Sequence, residues 1–393
     1  MKKRHAKHEA HSRRGAEPRR AGGSRLASVF DARLVGVMLA IKALVLLYGA
    51  QAYVVWSDKG LASFYDWLSI WNRWDAPHYL DIARAGYVAE GVEARWIVFY
   101  PLYPWLVRAC AFVFGDELVS AFFVSTVASL AAGLLLYRLA EFDEQEAVAR
   151  ASVFFLFVFP TSYFLHIGYT ESLFIALSVG AFLAARVRRW WLAGALGALA
   201  AAARVNGLLL IPALALEAWD EYRNEGRRWR WEWLWVLSAA LGFGVYLVIN
   251  WKVFGHPFEF LNKQEQYWSK SLTWPWVGIG AAWDSIWGRA PSEAQMVGWQ
   301  EFFFVLLGLA LTVWAWLRLR ASYAAWMTLN WLLWTSTKFV LSVPRYTLVM
   351  FPAYILLARA AASRPVWNAV ITVWSLLFLA LFAARFVQGY WAF

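Results

Sequence analysis

The sequence is short of charge and almost without cysteine. Of its 393 residues 16% are charged, whereas soluble domains carry about 25%. The single cysteine, Cys110, excludes a disulfide framework and a cysteine-based metal site. The sequence also has no internal repeat and no G-x-G-x-x-G motif, so nothing in it predicts a nucleotide-binding domain.

Hydrophobic residues make up 61% of the sequence and fall in blocks long enough to cross a membrane. We therefore predict an all-α polytopic membrane protein with about 11 transmembrane segments. The predicted segments are residues 34–56, 117–138, 148–165, 168–186, 190–203, 207–218, 233–251, 301–317, 322–339, 346–361 and 366–386.

The amino-terminal tail, residues 1–32, is rich in Lys and Arg and lacks apolar periodicity. We interpret it as a disordered cytoplasmic tail that anchors the first helix by the positive-inside rule, rather than as a nucleic-acid-binding arm. A transmembrane domain, residues 33–393, then has a first outer loop at 57–116 and a second large outer loop at 252–300. The chain is thus predicted to be a multi-pass cell-membrane protein in contact with lipid and not with nucleic acid.

Two features of the first half have more than one interpretation. Residues 100–114 are apolar but short and contain two prolines, so we favour an interfacial helix over a membrane span. Lys42 lies early in the first segment, where it is expected to snorkel to the cytoplasmic interface.

The densest group of polar residues is SIWNRWDAPHYLDIARAGY, residues 69–87, in the first outer loop. Asp75 and His78 are three residues apart and share a helix face, which suits general-base chemistry. Alternatively, Asp75 pairs with Arg73 or Arg84 and orients an interfacial helix. Asp81 is expected to pair with Arg84, which lies one helical turn further on.

Further polar residues in segments assigned to the outer face are candidates for substrate binding, because charge near membrane depth is costly. Glu171 suits a second acid or metal ligand, or it stabilises a helix N-terminus. Arg204 and Asn206 line a polar cavity or satisfy the backbone where two short helices meet. The substrate-binding candidates are Arg73, His78, Glu171, Arg204, Asn206, Lys263, Gln264, Lys338, Arg345 and Tyr346. No metal site or cofactor is predicted, and metal dependence stays open.

At these residues the chain resembles the glycosylphosphatidylinositol mannosyltransferase II (PIG-V) family and its bacterial relatives, of the GT-C superfamily. RWDAPHYLDIARAGY, FYPLYPWLVR, FPTSYFLHIGYTESLF, RRWWLAGALGALAAAARVNGLLLIPAL and SVPRYTLVMFPAYILLA carry the resemblance, from about residue 35 to 362. It implies a GT-C-type fold with an interfacial helix after the first outer loop. It also implies a catalytic aspartate at Asp75, and it places Arg345 near a lipid phosphate.

The resemblance implies inverting transfer of a sugar, most simply mannose, from a polyprenyl-phosphate donor. The acceptor would be a lipid, glycan or protein on the outer face. We do not assume that this protein uses the GPI precursor on which the eukaryotic members of the family act. Asp75 would act as the base, His78 would orient it or contact a sugar hydroxyl, and Arg204, Lys338 or Arg345 would neutralise the leaving phosphate. The alternatives are another lipid-linked sugar, such as arabinose, or a lipid-sugar flippase or transporter.

Overall fold

The computed structural model describes residues 31–224 and 226–393, and it is all-α over these residues. The predicted tail at residues 1–32 lies almost wholly outside them. The α-helices are Ala32–Ser57 (α1), Phe64–Ser69 (α2), Ala76–Ala85 (α3), Leu102–Phe114 (α4), Glu117–Ala140 (α5), Glu146–Val158 (α6), Glu171–Arg186 (α7), Trp190–Ala203 (α8), Leu210–Asn224 (α9), Ala239–Phe254 (α10), Glu259–Trp268 (α11), Pro275–Asp284 (α12), Pro291–Glu293 (α13), Gln300–Arg318 (α14), Ala321–Thr335 (α15), Val343–Thr347 (α16), Pro352–Ser363 (α17) and Pro365–Val387 (α18).

Short 3-10 segments link or extend several of these helices. They are Val92–Val98, Ser162–Leu165, Val205–Leu209 and Trp231–Ser238. A π-helical segment, Ala294–Trp299, joins α13 to α14, so Pro291–Arg318 is one continuous helix of 28 residues. The described residues contain no β-strand, and one isolated antiparallel bridge joins Leu272 to Thr337.

The all-α membrane architecture predicted from hydropathy is confirmed, and a helix lies at each of the predicted segments. The count of about 11 spans is not confirmed. Among the described residues, five helices are long and apolar enough to cross a membrane. They are Ala32–Ser57, Glu117–Ala140, Trp231–Phe254, Pro291–Arg318 and Pro365–Val387.

Helix α4 has 13 residues and is bent by 114° from the preceding 3-10 segment. At 1.5 Å per residue it is about 20 Å long, which is shorter than the ~30 Å hydrocarbon core. This length fits the interfacial interpretation of residues 100–114, whose depth in the membrane stays a prediction.

The core of the molecule lies around α7, which packs against both α5 and α8. Nearly every residue of α7 is buried, as expected for a helix that is apolar on all sides. On its far side α8 lies so close to α10 that a Cβ on Gly242 would stand 1.8 Å from the carbonyl oxygen of Ala198. This tightly packed centre fixes the first residue of α7, Glu171.

Ion pairs join the turns at the predicted cytoplasmic ends of the helices. Arg186 lies 2.6 Å from Asp143, Arg320 lies 2.9 Å from Glu217, and Arg359 pairs with Glu144. Lys42 does not snorkel as expected, because its buried ammonium donates to the backbone carbonyl of His166 at 2.8 Å. This hydrogen bond holds the Lys42 side chain inside the protein rather than at the membrane interface.

Candidate active site

A cavity of about 810 Å³ opens among segments that the sequence predicts to be outside. The first half of the chain contributes the start of α3, the start of α7 and the break between α8 and α9 to its walls. The second half contributes α11 with the turn after it, the α15–α16 connection and the residues that follow α18. The polar and charged residues among its lining are Asp75, His78, Tyr79, Tyr100, Thr170, Arg204, Asn206, Asn262, Gln264, Glu265, Lys270, Ser271, Thr337, Ser342, Arg345 and Tyr346.

Asp75 stands at the entrance to α3, and its backbone is firmly held. Its N–H donates to the hydroxyl of Tyr169 at 3.2 Å, and that hydroxyl donates to the carbonyl of Arg73 at 2.8 Å. Trp74, directly before it, has φ of 56°, in the left-handed region that side chains rarely adopt. The turn at Trp74 therefore directs the chain so that Asp75 reaches the cavity wall.

Arg345 is the ion-pair partner of Asp75. Its Nη1 donates to Asp75 Oδ2 at 2.7 Å, and its Nε lies 3.3 Å from Glu171 Oε1 without hydrogen-bond geometry. Burial alone would lower the pKa of Arg345, but the two carboxylates raise it well above its ordinary value. The guanidinium is thus a permanent cation between Asp75 and Glu171, brought from 270 residues away.

The partners first considered for the two aspartates are wrong. Arg73 donates to the carbonyl of Ile70 at 3.3 Å rather than to Asp75. Arg84 binds Glu117, with its Nη2 at 3.1 Å from Oε2, rather than Asp75 or Asp81. The physical reason is that the helix after Asp75 turns Arg84 towards α5, where Glu117 occupies the first turn.

A second ion pair joins the buried Glu171 to Arg204, which lines the cavity. Arg204 Nη1 lies 2.5 Å from Glu171 Oε1 and donates to the hydroxyl of Thr170 at 3.0 Å. Arg204 has an extended backbone between α8 and the following 3-10 segment, so the break lets its side chain reach α7. Glu171 does not itself line the cavity, and it connects Arg204 with Arg345.

Lys270 is a cavity residue that sequence reasoning missed. Its ammonium donates to the hydroxyl of Tyr346 at 2.8 Å, and it lies 4.9 Å from the centre of that ring. Arg204 and Arg345 lie 5.6 and 5.5 Å from the same ring centre. Tyr346 is therefore surrounded by three cations. The sequence feature that could have identified Lys270 is its position among aromatic residues in the second outer loop.

His78, Asn206 and Gln264 also line the cavity, as expected for substrate-binding candidates. His78 stacks on Trp96 with ring centres 3.5 Å apart, and burial lowers its pKa, so the imidazole is neutral at pH 7. Asn206 donates to the side-chain oxygen of Asn330 at 2.7 Å, which ties the helix break to α15. Of these three, His78 stands nearest to Asp75 in the chain, one turn along α3.

Besides Glu171, three of the candidates do not line the cavity. The side chain of Arg73 donates to the carbonyl of Ile70 in its own loop. Lys263 lies 3.4 Å from Glu259 on the same helix, so a local ion pair holds it there. Lys338 has an exposed side chain, and only its backbone N–H is bound, to Ser271. The pairing of residues 271–273 with 336–338 places Lys270, rather than Lys338, at the cavity.

Two tryptophans form an aromatic wall next to Asp75. Trp74 and Trp391 meet edge to face with ring centres 5.1 Å apart, and both line the cavity. The indole N–H of Trp391 is buried and has no hydrogen-bond partner among the described residues. Aromatic faces combined with free polar donors suit a ligand that has apolar ring faces and polar edges, such as a sugar.

The charges at this site favour an anionic ligand. Three cations, Arg204, Lys270 and Arg345, lie around the Tyr346 ring, and guanidinium and ammonium groups bind phosphate oxygens well. Two of them, Arg204 and Arg345, also pair with Asp75 or Glu171. In the described ranges no three His, Cys, Asp or Glu side chains are grouped so that they could hold a metal ion. The partly exposed carboxylate of Asp75 thus lies beside a group of cations that are suited to binding a phosphate.

Comparisons with known sequences find similarity to mannosyltransferases. Residues 100–251 match the family model described as dolichyl-phosphate-mannose-protein mannosyltransferase. The GPI alpha-1,6-mannosyltransferase 2 of Rattus norvegicus is 33% identical over 158 residues, which cover 36% of this chain and 30% of that protein. The GPI mannosyltransferase 2 of Schizosaccharomyces pombe is 32% identical over 145 residues, covering 35% of this chain and 30% of that protein. The matches thus span about a third of the length of these curated relatives.

Two solved structures have a similar arrangement of helices over most of the chain. ArnT from Cupriavidus metallidurans, bound to undecaprenyl phosphate, has a TM-score of 0.49 at 13% identity, covering 92% of this chain and 75% of that one. The oligosaccharyltransferase of Archaeoglobus fulgidus, in complex with zinc and sulfate, has a TM-score of 0.46 at 14% identity, covering 89% and 53%.

The relatives found by sequence are those expected from the motif around Asp75 and its companions along the chain. The family model and the two relatives are all named as mannosyltransferases. The resemblance inferred from the sequence is therefore confirmed as a similarity: over about a third of its length the chain is similar to GPI mannosyltransferase 2 proteins, and residues 100–251 match the mannosyltransferase family model.

Proposed function

We propose that the protein is an inverting glycosyltransferase that transfers mannose from a polyprenyl-phosphate donor to a lipid, glycan or protein acceptor. The observation that carries the proposal is the Asp75–Arg345 ion pair of 2.7 Å on the wall of an 810 Å³ cavity. It joins a carboxylate with an accessible edge to a cluster of cations. The names of the matched relatives, which describe mannosyl transfer, support the choice of sugar.

Asp75 acts as the general base in this proposal. Arg345 occupies Oδ2, whereas Oδ1 accepts no hydrogen bond within the described ranges, and 23% of the side chain is exposed. The acceptor hydroxyl loses its proton to Asp75 while its oxygen attacks the anomeric carbon. The bond from that carbon to the phosphate oxygen breaks on the opposite face, so the sugar's configuration inverts. Proton removal of this kind contributes typically ~10²–10⁴-fold.

The leaving group is a polyprenyl phosphate, whose negative charge grows as the glycosidic bond breaks. Arg345, Arg204 and Lys270 supply the neutralising charge, and the three cations are already assembled around Tyr346. Because these groups are fixed before the reaction, little reorganisation is needed in the transition state. His78 is neutral and hydrogen-bonds to a sugar hydroxyl, while Trp74 and Trp391 contact the ring.

We place the site on the outer face of the cell membrane and the amino terminus in the cytoplasm. The basic turns at residues 186–189, 223–230 and 318–320 fall on the side opposite the cavity segments, as the positive-inside rule requires. Nucleotide sugars are absent from that outer compartment, so a lipid-linked donor that arrives through the bilayer suits the location.

The direct test is incubation of the purified protein with polyprenyl-phosphate-mannose, with polyprenyl-phosphate-arabinose and with further lipid-linked sugars. Release of polyprenyl phosphate from the mannose donor is the expected result. Preferential release of polyprenyl phosphate from the arabinose donor would show that arabinose, and not mannose, is the sugar transferred. If no donor releases phosphate but proteoliposomes move a lipid-linked sugar across the membrane, the transferase proposal is wrong and the flippase alternative holds.

Lys270→Ala and Lys338→Ala form a matched pair that separates the cavity lysine from the one predicted by sequence. A hydrogen bond to a charged group is worth about 1.5–3 kcal/mol, so Lys270→Ala is expected to lower kcat/KM for the donor by about 10- to 100-fold. Lys338→Ala removes an exposed side chain and is expected to change it less than about twofold. Initial rates of phosphate release measure both, and equal effects would contradict the assignment of Lys270.

A further inference from the structure

A buried carboxylate outside the cavity holds the segment that carries Arg345. Glu301, in the first turn of α14, is completely buried and does not line the cavity. Its Oε1 accepts the backbone N–H of Ser342 at 2.6 Å, and its Oε2 accepts that of Val343 at 2.7 Å. Both oxygens of one carboxylate are thus used on two consecutive peptide groups, three and two residues before Arg345.

The backbone held by Glu301 has an unfavourable conformation. Ser342 has φ of 73° and ψ of 22°, in the left-handed region. For a residue other than glycine this conformation costs roughly 1–2 kcal/mol, and it persists only where the surroundings enforce it. The hydrogen bonds of 2.6 and 2.7 Å to Ser342 and Val343 are short, so Glu301 provides the contacts that enforce this turn.

Other contacts complete the support of the same segment. The hydroxyl of Thr161 donates to the carbonyl of Pro344 at 2.9 Å. The ammonium of Lys270 lies 3.4 Å from the carbonyl of Leu341. The backbone on each side of Ser342 is therefore fixed by α14, by the α6–α7 connection and by the second outer loop. Of these supports, only Glu301 binds the two peptide groups of the left-handed turn itself.

We infer that Glu301 is a positioning residue that acts through Arg345. Its two hydrogen bonds set the backbone at Ser342 and Val343 so that the Arg345 guanidinium reaches Asp75 and Glu171 together. The inference rests on the proposed role of Arg345 at the donor phosphate. A displacement of about 1 Å at a reacting group can cost ~10²-fold in rate. Glu301→Gln puts an amide N–H₂ against a backbone donor, so it disturbs this geometry without changing the side-chain volume.

The test is a double-mutant cycle with Glu301→Gln, Arg345→Lys and the combined variant, scored by release of polyprenyl phosphate from polyprenyl-phosphate-mannose. Glu301→Gln alone is expected to lower kcat by about 10- to 100-fold. In the Arg345→Lys background it is expected to cause less than about a twofold further loss, because both changes disturb the same contact. Losses that multiply would overturn the inference.

The matched control is Glu217→Gln, at another buried carboxylate that accepts hydrogen bonds far from the cavity, from Arg320 and Ser322. It is expected to lower the unfolding temperature and leave kcat unchanged. If Glu301→Gln does not fold, Glu301→Asp, which keeps both oxygens, takes its place in the cycle. An inactive wild-type protein contradicts the proposed function, whereas an impaired Arg345→Lys with a normal Glu301→Gln contradicts only this inference.

Discussion

Asp75→Asn is expected to lower sugar transfer by about 10²- to 10⁴-fold, the usual contribution of a general base. Asparagine has the same shape as aspartate but cannot take a proton from the acceptor hydroxyl. Arg345 keeps Glu171 as a second carboxylate partner, so the variant should still fold. The measurement is the rate of polyprenyl-phosphate release at saturating donor, together with the unfolding temperature.

Asp81→Asn is the matched control for this result. Asp81 lies on α3, the helix that Asp75 precedes, but it does not line the cavity. The Asp81→Asn variant is therefore expected to retain wild-type activity. A fully active Asp75→Asn protein would exclude Asp75 as the base. The same outcome would favour a scaffold that has the fold without the chemistry.

Arg345→Ala is expected to affect both activity and stability. Removing one partner of a buried ion pair costs about 3–5 kcal/mol, because the remaining charge is left uncompensated. Here Asp75 loses its ion-pair partner, whereas Glu171 loses one of two and keeps Arg204. The loss of a preorganised cation from the leaving-group site should also lower kcat by about 10²–10³-fold. Thermal unfolding in detergent and phosphate-release kinetics measure the two effects separately.

Arg84→Ala supplies the comparison, because Arg84 also forms an ion pair in the first outer loop. Its side chain is 63% exposed, and exposed pairs are worth about 0–1 kcal/mol. It should change neither the unfolding temperature nor the rate appreciably. If Arg345→Ala resembled Arg84→Ala in both measurements, the bridge between the two carboxylates would have no role in the site.

The fold was predictable where hydropathy alone decides the structure. The block at residues 117–138 became α5, Glu117–Ala140, and the block at 190–203 became α8 with the same bounds. Hydropathy does not show how deep a helix lies or whether a short one spans, so the count of about 11 spans could not be read from it. Lys42 illustrates the limit, since its partner is a carbonyl on a distant loop.

The candidate site was predictable at positions where a charge stands next to an apolar helix. Asp75, Arg204 and Arg345 were recognised on that ground, and all three line one cavity. Which charges pair was not predictable, because sequence spacing favoured Arg84 for the aspartates whereas tertiary contacts decide. Lys338 was predicted from the sequence and Lys270 was missed, because the pairing of residues 271–273 with 336–338 is a tertiary contact. Glu301 gave no signal beyond being a carboxylate near a helix start.

The separation of Asp75 from Arg345 has a consequence for how the protein is made. At about 5–20 residues per second, the 270 residues between them take roughly 15–50 s to synthesise. Arg204 follows Glu171 by 33 residues, so that pair can form within roughly 10 s. Glu171 can thus form an ion pair early in synthesis, whereas the partner of Asp75 is made only after almost the whole chain has been synthesised. A ribosome-bound intermediate that ends before α16 would therefore hold Asp75 without its ion-pair partner.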